Sequence, residues 1–167
     1  MDFPTKGMES KMKSLVKISI LSNSSEQTFE LGQQISKHLI PGSIIALHGT
    51  LGSGKTMLTK GITAGLGIKD SITSPTYTII NEYQLPKTLY SNGKICSLLY
   101  HIDLYRLNDS KGFEDIGGID ILNSDEISII EWSERIINIL PADIISISLD
   151  ITGNESRNIE INGLQQL

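Results

Sequence analysis

The sequence predicts an α/β fold in which a mixed parallel and antiparallel sheet is flanked by helices, and three observations lead there. Short apolar runs alternate with amphipathic stretches over the first part of the chain, the pattern of parallel strands joined by crossover helices. A glycine-rich loop, residues 49–56, joins one apolar run to one amphipathic stretch. Towards the end strands predominate, separated by turn residues, which suits antiparallel pairing.

Taken in order, residues 15–21 alternate apolar and polar positions and read as a strand; Lys17 and Ser19 interrupt them, so they make a poor secretory segment. Residues 1–13 are polar and expected to be a disordered N-terminal extension, leaving 14–167 as a single domain. Ser24 with Gln27 three positions later forms a capping box. Phe29, Leu31, Ile35 and Leu39 then recur at helical spacing up to Pro41-Gly42. Residues 43–48 are a short apolar run that stops at glycine, a buried strand. A helix over 55–66 is closed by Gly67, which can take the left-handed cap. Strands over 77–84 and 95–102 flank a turn-rich insert at 86–93 and are expected to pair. Residues 109–123 predict a short helix interrupted at Gly117-Gly118, and 127–130 a buried strand. Residues 133–140 predict a helix halted by Pro141, and 144–151 with 157–161 a closing hairpin.

Composition narrows the function classes. At ~150 residues per domain, 167 residues make one domain with a sizeable core, not a disulfide-stapled miniprotein, a repeat array or a disordered tail. Fourteen Lys and Arg against nineteen Asp and Glu give a net charge of −5. A binder that relied on neutralising phosphates would be basic, so any RNA is expected to be held mainly by a partner. The single cysteine, Cys96, permits no internal disulfide and suits a reducing cytoplasm. No run approaches the ~18 apolar residues of a membrane span. His38 and His48 have no metal-ligand spacing with Cys96, so no zinc site is expected.

The strongest chemical signal is Gly49-Thr50-Leu51-Gly52-Ser53-Gly54-Lys55-Thr56, a full match to the G-x-x-x-x-G-K-[ST] phosphate-binding loop. Glycines allow the tight turn that aims successive amides at phosphate oxygens. Lys55 can reach the β- and γ-phosphates, Thr56 offers a hydroxyl to Mg2+, and the following helix adds its positive dipole end. A strand before the loop and a helix after it supply the context that a chance glycine turn lacks.

Such a loop works with a carboxylate that holds magnesium directly or through water. Asp103 and Glu131 both follow apolar strands, at the strand ends where α/β sheets bind ligands. Either one alone would read as a solvated loop acid or a helix cap; two in a chain with a phosphate loop favour the metal reading. Ser74-Pro75-Thr76-Tyr77 lies where a γ-phosphate-sensing segment is often found, and the same residues equally make a turn into a strand. His101 reads as a strand histidine facing a neighbour, and Trp132, the only tryptophan, as a packed aromatic.

Four ordered blocks together resemble the TsaE (YjeE) family of P-loop ATPases in tRNA threonylcarbamoyladenosine biosynthesis. They are the loop at 49–56, Ser-Pro-Thr-Tyr at 74–77 with Thr78-Ile79-Ile80, His101-Ile102-Asp103-Leu104-Tyr105-Arg106-Leu107, and Glu131-Trp132, with a Leu140-Pro141 stop beyond. The resemblance covers most of residues 20–150. It implies a P-loop NTPase fold and an ATPase that supports turnover of a threonylcarbamoyl-transferase complex made of TsaD-like and TsaB-like partners. It also implies that Thr56 and Glu131 hold Mg2+, that Asp103 acts near the γ-phosphate or attacking water, that Trp132 lies close to the nucleotide, and that Thr76 belongs to a switch-like segment. Three departures stand out. Thr50 replaces an acid, Met57 replaces a hydroxyl residue that often contacts the α-phosphate, and the insert at 86–93 is long.

The cofactors expected are therefore ATP and Mg2+. The catalytic candidates are Lys55, Asp103 and Glu131; the nucleotide-binding candidates are Thr50, Leu51, Gly52, Ser53, Gly54, Lys55, Thr56, Met57, Thr76 and Trp132. The chain has only Arg106, Arg135 and Arg157, too few for the arginine-bearing lid of a small-molecule kinase, the first alternative. A complete phosphoryl-transfer site often uses an arginine finger worth ~10³–10⁵ in rate, so hydrolysis is expected to be slow without partners. The second alternative is a nucleotide-gated binding module without useful hydrolysis, against which both acids argue.

Overall fold

A computed structural model of the chain describes residues 17–89, 93–164 and 167, with the backbone alone at 87–89. The predicted extension at 1–13, the start of the first strand at 15–16 and the tip of the insert at 90–92 lie outside the described residues. Seven strands form one sheet: β1 (Ile18–Ser22), β2 (Ile44–His48), β3 (Ile80–Leu89), β4 (Ile95–Asp103), β5 (Ile127–Glu131), β6 (Ile145–Ile151) and β7 (Arg157–Asn162). Their order across the sheet is β1-β7-β6-β2-β5-β4-β3. The centre is parallel (β6, β2, β5 and β4), and both margins are antiparallel. The expected mixed sheet is thus what forms, with parallel strands where apolar runs alternate with helices.

Side-chain alternation along the strands sorts the core into two layers. Ile45 and Leu47 of β2 and Ile127 and Ile129 of β5 pack with Leu31, Ile35, Leu58 and Ile62 from α1 (Ser25–Ser36) and α2 (Lys55–Gly65). On the opposite face Ile44, Ile102 and Ile130 meet Phe113 and Leu122 from α3 (Ser110–Asp115) and α4 (Gly118–Leu122). Helices therefore cover both faces, and the central strands are apolar on both sides, as buried parallel strands must be.

Five features differ from the sequence expectation. The Ser24 hydroxyl does accept the Gln27 amide at 3.2 Å, but the Gln27 side chain reaches the amide of Asn23, one residue before the cap. The α1 helix ends at Ser36, and tighter turns carry the chain to a still buried Leu39. The strand expected from Tyr77 begins at Ile80, because residues 75–79 close a turn with the Ile79 amide on the Pro75 carbonyl at 2.7 Å. The 86–93 segment is not wholly a turn, since β3 runs on to Leu89. Pro86 falls within the register shift between Gln84 and Thr88, on the outermost strand, where a missing amide disrupts least. Residues 133–140 form only a 3-10 helix, Ser133–Ile136, consistent with the weak helix propensity of the Ile136-Ile137-Asn138 run that follows.

Glu126, just before β5, ties that strand to β4. Its carboxylate accepts the amides of Ser97 and Leu98 at 2.8 and 2.7 Å and the Cys96 thiol at 3.2 Å. Burial and this carboxylate push the Cys96 thiol up to about 11, so it sits in the core as a protonated thiol.

The α1–α2 contact is close enough to require glycine. A Cβ on Gly61 would overlap the carbonyl oxygen of Phe29, a backbone atom that cannot rotate away. Alanine would gain ~1 kcal/mol in helix propensity, but overpacking costs ~1–3 kcal/mol. Gly61→Ala is therefore expected to lower stability by up to about 2 kcal/mol, read as a lower urea midpoint at unchanged slope; a raised midpoint would show that the helices can move apart freely.

Candidate functional site

The site lies where three parallel strands end together. The ladder sets Leu47 of β2 beside Glu131 of β5, and Glu131 beside Asp103 of β4. The chain leaves β2 directly into the glycine loop, so loop and carboxylates share the carboxyl edge of the sheet, where open α/β sheets bind ligands. A cleft of about 290 Å³ opens there between the loop, the Ser74–Thr76 segment and the ends of β4 and β5.

The loop backbone is held by its glycines. Gly49, Gly52 and Gly54 have φ of 141°, 78° and 105°. Gly54 is the N-cap of α2 with no side chain closing the cap, which leaves the first amides of an eleven-residue helix to a ligand. Arg157 reaches across from β7, its Nε donating to the Ser53 carbonyl at 3.2 Å and Nη2 to that of Gly52 at 3.4 Å. Because a trans peptide sets C=O and the next N–H in opposite directions, turning the Ser53 carbonyl to Arg157 turns the Gly54 amide away from it.

Lys55 is buried, at 5% exposure, and its ammonium donates to the carbonyls of Gly49 and Thr50 at 2.7 and 3.0 Å. It also lies 4.1 Å from the centroid of the Trp132 ring, a cation–π contact. Burial draws its pKa below 10.5, and the nearby carboxylates of Glu131, Glu134 and Asp103 oppose that shift. Trp132 holds its ring there from a left-handed backbone, φ 59°, a conformation costly for a bulky residue. Tyr105 packs against the ring at 5.1 Å between centroids.

Both acids are buried and hydrogen-bonded. Glu131 accepts the Thr56 hydroxyl at 3.2 and 3.3 Å through its two oxygens and faces His101 Nε2 at 2.9 Å. In Asp103, Oδ2 accepts the hydroxyls of Ser74 and Thr76, the latter at 2.9 Å, and Oδ1 accepts the Tyr105 amide at 2.9 Å. A buried carboxylate and a half-buried hydroxyl, side by side and next to the loop, are the hard oxygen donors that Mg2+ takes. The donor set fits that ion.

Of the residues singled out in the sequence, Leu51, Gly52, Lys55, Thr56, Thr76, Asp103, Glu131 and Trp132 all border this cleft. Thr50 contributes its carbonyl to Lys55 while its side chain is exposed, and Ser53 is fully buried within the loop. Met57 lies apart, in a groove beside Phe29 and Glu26 of α1. Sequence reasoning gave no site role of their own to Tyr105, His101 or Arg157, and from the 74–77 segment it singled out Thr76 and not Ser74. The His101-x-Asp103 spacing could have flagged His101, since residues two apart on a strand share a face. Arg157 comes from a strand about a hundred positions further on and leaves no local signal.

The family model described as "Threonylcarbamoyl adenosine biosynthesis protein TsaE" matches residues 22–159. A tRNA threonylcarbamoyladenosine biosynthesis protein TsaE from Treponema pallidum is 36% identical over 141 residues, covering 84% of this chain and 97% of the relative. One of the same name from Haemophilus influenzae is 40% identical over 124 residues, covering 74% and 72%. The crystal structure of Bacillus subtilis YdiB superposes with a TM-score of 0.66 at 26% identity, covering 89% of this chain and 86% of that one. A nucleotide-binding loop set on the edge of this sheet, and a family match across nearly all of it, lead to one conclusion: the chain belongs to the TsaE family of tRNA threonylcarbamoyladenosine biosynthesis.

Proposed function

We propose that this TsaE-family protein is a magnesium-dependent ATPase of the cytoplasm that converts ATP to ADP and phosphate. In this reading it supports repeated turnover of a threonylcarbamoyl-transferase complex of TsaD-like and TsaB-like proteins, with tRNA held mainly by those partners. The observation that carries it is the convergence of Lys55, Thr56, Asp103 and Glu131 on a single cleft at the end of a phosphate-binding loop.

Each residue has a task. The amides at the start of α2 bind phosphate oxygens, and the Lys55 ammonium exchanges its two carbonyl partners for the β- and γ-phosphates. Asp103, fixed by three hydrogen bonds, orients the attacking water, whose oxygen bonds to the γ-phosphorus as the bond to the β–γ bridging oxygen breaks. Thr56 and Glu131 would hold Mg2+, and the ion when bound supplies positive charge against the charge spreading on the phosphates. Among the described residues no three His, Cys, Asp or Glu side chains gather to hold a metal alone; this suits an ion shared with the phosphates. The Trp132 ring screens Lys55 from water.

None of the three arginines lines the cleft. Arg106 lies over the exposed ring of Tyr77 at 4.5 Å, and Arg157 grips the glycine loop through its carbonyls. Hydrolysis by the isolated chain is accordingly slow, and the partners complete the site.

Three outcomes are expected. In a tRNA-modification assay with purified TsaD-like and TsaB-like partners, Lys55→Ala stops modification after the first cycles while wild type continues; sustained modification by the variant contradicts the role. Partners raise the ATPase rate of wild type, and equal turnover with and without them contradicts their completing the site. Asp103→Asn keeps nucleotide affinity and loses on the order of 10²-fold in hydrolysis, a split read by equilibrium binding alongside single-turnover rates. The lowered Lys55 pKa also gives a pH sign. Phosphate favours the ammonium, so binding takes up a proton at alkaline pH, and affinity falls as pH rises through the depressed pKa rather than near 10.5. Titration calorimetry in buffers of different ionisation enthalpy measures that uptake, and none across the alkaline range would contradict it.

A further inference from the structure

His101 has no part in the chemistry described so far, yet it is fully buried and aimed at the site. The parallel register of β4 with β5 pairs His101 with Ile129 and Asp103 with Glu131, so the imidazole stands on the same sheet face as both acids, one step below them. Its Nε2 lies 2.9 Å from Glu131 Oε1, the oxygen that also accepts the Thr56 hydroxyl. An ionised carboxylate only accepts hydrogen bonds, so Nε2 carries the hydrogen. The other ring nitrogen, Nδ1, is buried without a partner among the described residues. A polar atom left unpaired in a core has a cost. A histidine that served packing alone could be an apolar residue without that cost; what the imidazole adds is a single directed bond to Glu131.

The remaining donors to Glu131 do not fix it. Thr56 bonds both carboxylate oxygens at similar and rather long distances, 3.2 and 3.3 Å, which leaves the carboxylate plane loosely defined. The 2.9 Å bond from a rigid ring on the neighbouring strand selects one oxygen and sets the plane. We propose that His101 is a positioning residue that holds Glu131 in the orientation in which Oε2, the oxygen it does not bond, meets a divalent cation together with the Thr56 hydroxyl. Carboxylates that bind metals are commonly oriented by such a second hydrogen bond, and losing it costs ~10–100-fold in metal affinity. The inference rests on the reading of Glu131 as a magnesium ligand, and the test separates the two.

The probe is a non-hydrolysable ATP analogue, with binding followed through the fluorescence of Trp132, the only tryptophan in the chain and a neighbour of Lys55. The quantity measured is the factor by which saturating Mg2+ tightens binding. His101→Leu removes the bond at similar volume, His101→Gln keeps an amide donor at comparable reach, and Glu131→Gln is the reference. Magnesium is expected to tighten binding to wild type and His101→Gln, with ~10–100-fold of that gain lost in His101→Leu and affinity without Mg2+ alike in all of them. If His101→Leu does not fold, His101→Asn, whose shorter amide falls short of Glu131, takes its place with the same expectation. A wild-type magnesium gain in the bond-less variant, with the gain lost in Glu131→Gln, overturns the positioning role and leaves the metal reading standing. A wild-type gain in Glu131→Gln overturns both. Equal losses in His101→Leu and His101→Gln would make the effect one of ring packing and would also overturn the proposal.

Discussion

Taking a carboxylate out of water costs several kcal/mol unless opposite charge and hydrogen-bond donors answer it, and Glu131, 3% exposed, is such a carboxylate. Thr56 and His101 donate to it, and the Lys55 ammonium is near enough to feel its charge. Three separate parts of the chain bring these groups together. Thr56 and Lys55 start α2, His101 belongs to β4, and Glu131 ends β5. The parallel pairing of β2, β5 and β4 is therefore more than a scaffold: shifting one strand by a single residue would turn its site side chain to the other face of the sheet.

The same economy of partners marks the rest of the cleft. Asp103 has both oxygens engaged, by Ser74 and Thr76 and by the Tyr105 amide. The Ser74–Thr76 segment thereby depends on β4 for its position, and it leads into Ile79, a β-branched residue at φ 68°. The backbone of Ile79 is tied on both sides, by its amide to Pro75 and by its carbonyl to the Asp103 amide. Such a conformation persists only where neighbours over-determine it, and it tends to occur where function requires a particular chain direction. Lys55 with its two loop carbonyls, and Arg157 on the carbonyls of Gly52 and Ser53, likewise keep the loop in shape before phosphate arrives.

Much of this was legible in the chain. The phosphate loop, its flanking strand and helix, and the acids at 103 and 131 follow from residue type and spacing, because each is a local signal: glycine at turns, an apolar run before an acid, helical periodicity after Lys55. The extent of β3 was not legible, since Pro86 reads as a breaker unless the strand is known to lie at the sheet margin. The helix expected at 133–140 shrank to four residues because local propensity there is weak and nothing local reports the turn at Trp132. Which way Met57 faces was not legible either, as helix phase alone does not say that it lines the groove beside Phe29 and Glu26 of α1. The contacts of His101 and Arg157 depend on strand order, which a single sequence does not display.

The central claim is that a triphosphate sits in this cleft with Lys55 as its cation. A crystal structure of the chain with Mg2+ and a non-hydrolysable ATP analogue tests it most directly. The account predicts that Lys55 Nζ leaves the carbonyls of Gly49 and Thr50 for the phosphates, with Thr56 and Glu131 facing the ion. A nucleotide seated elsewhere, such as the groove beside Met57 and Phe29, with Lys55 still bonded to its two carbonyls, would contradict it.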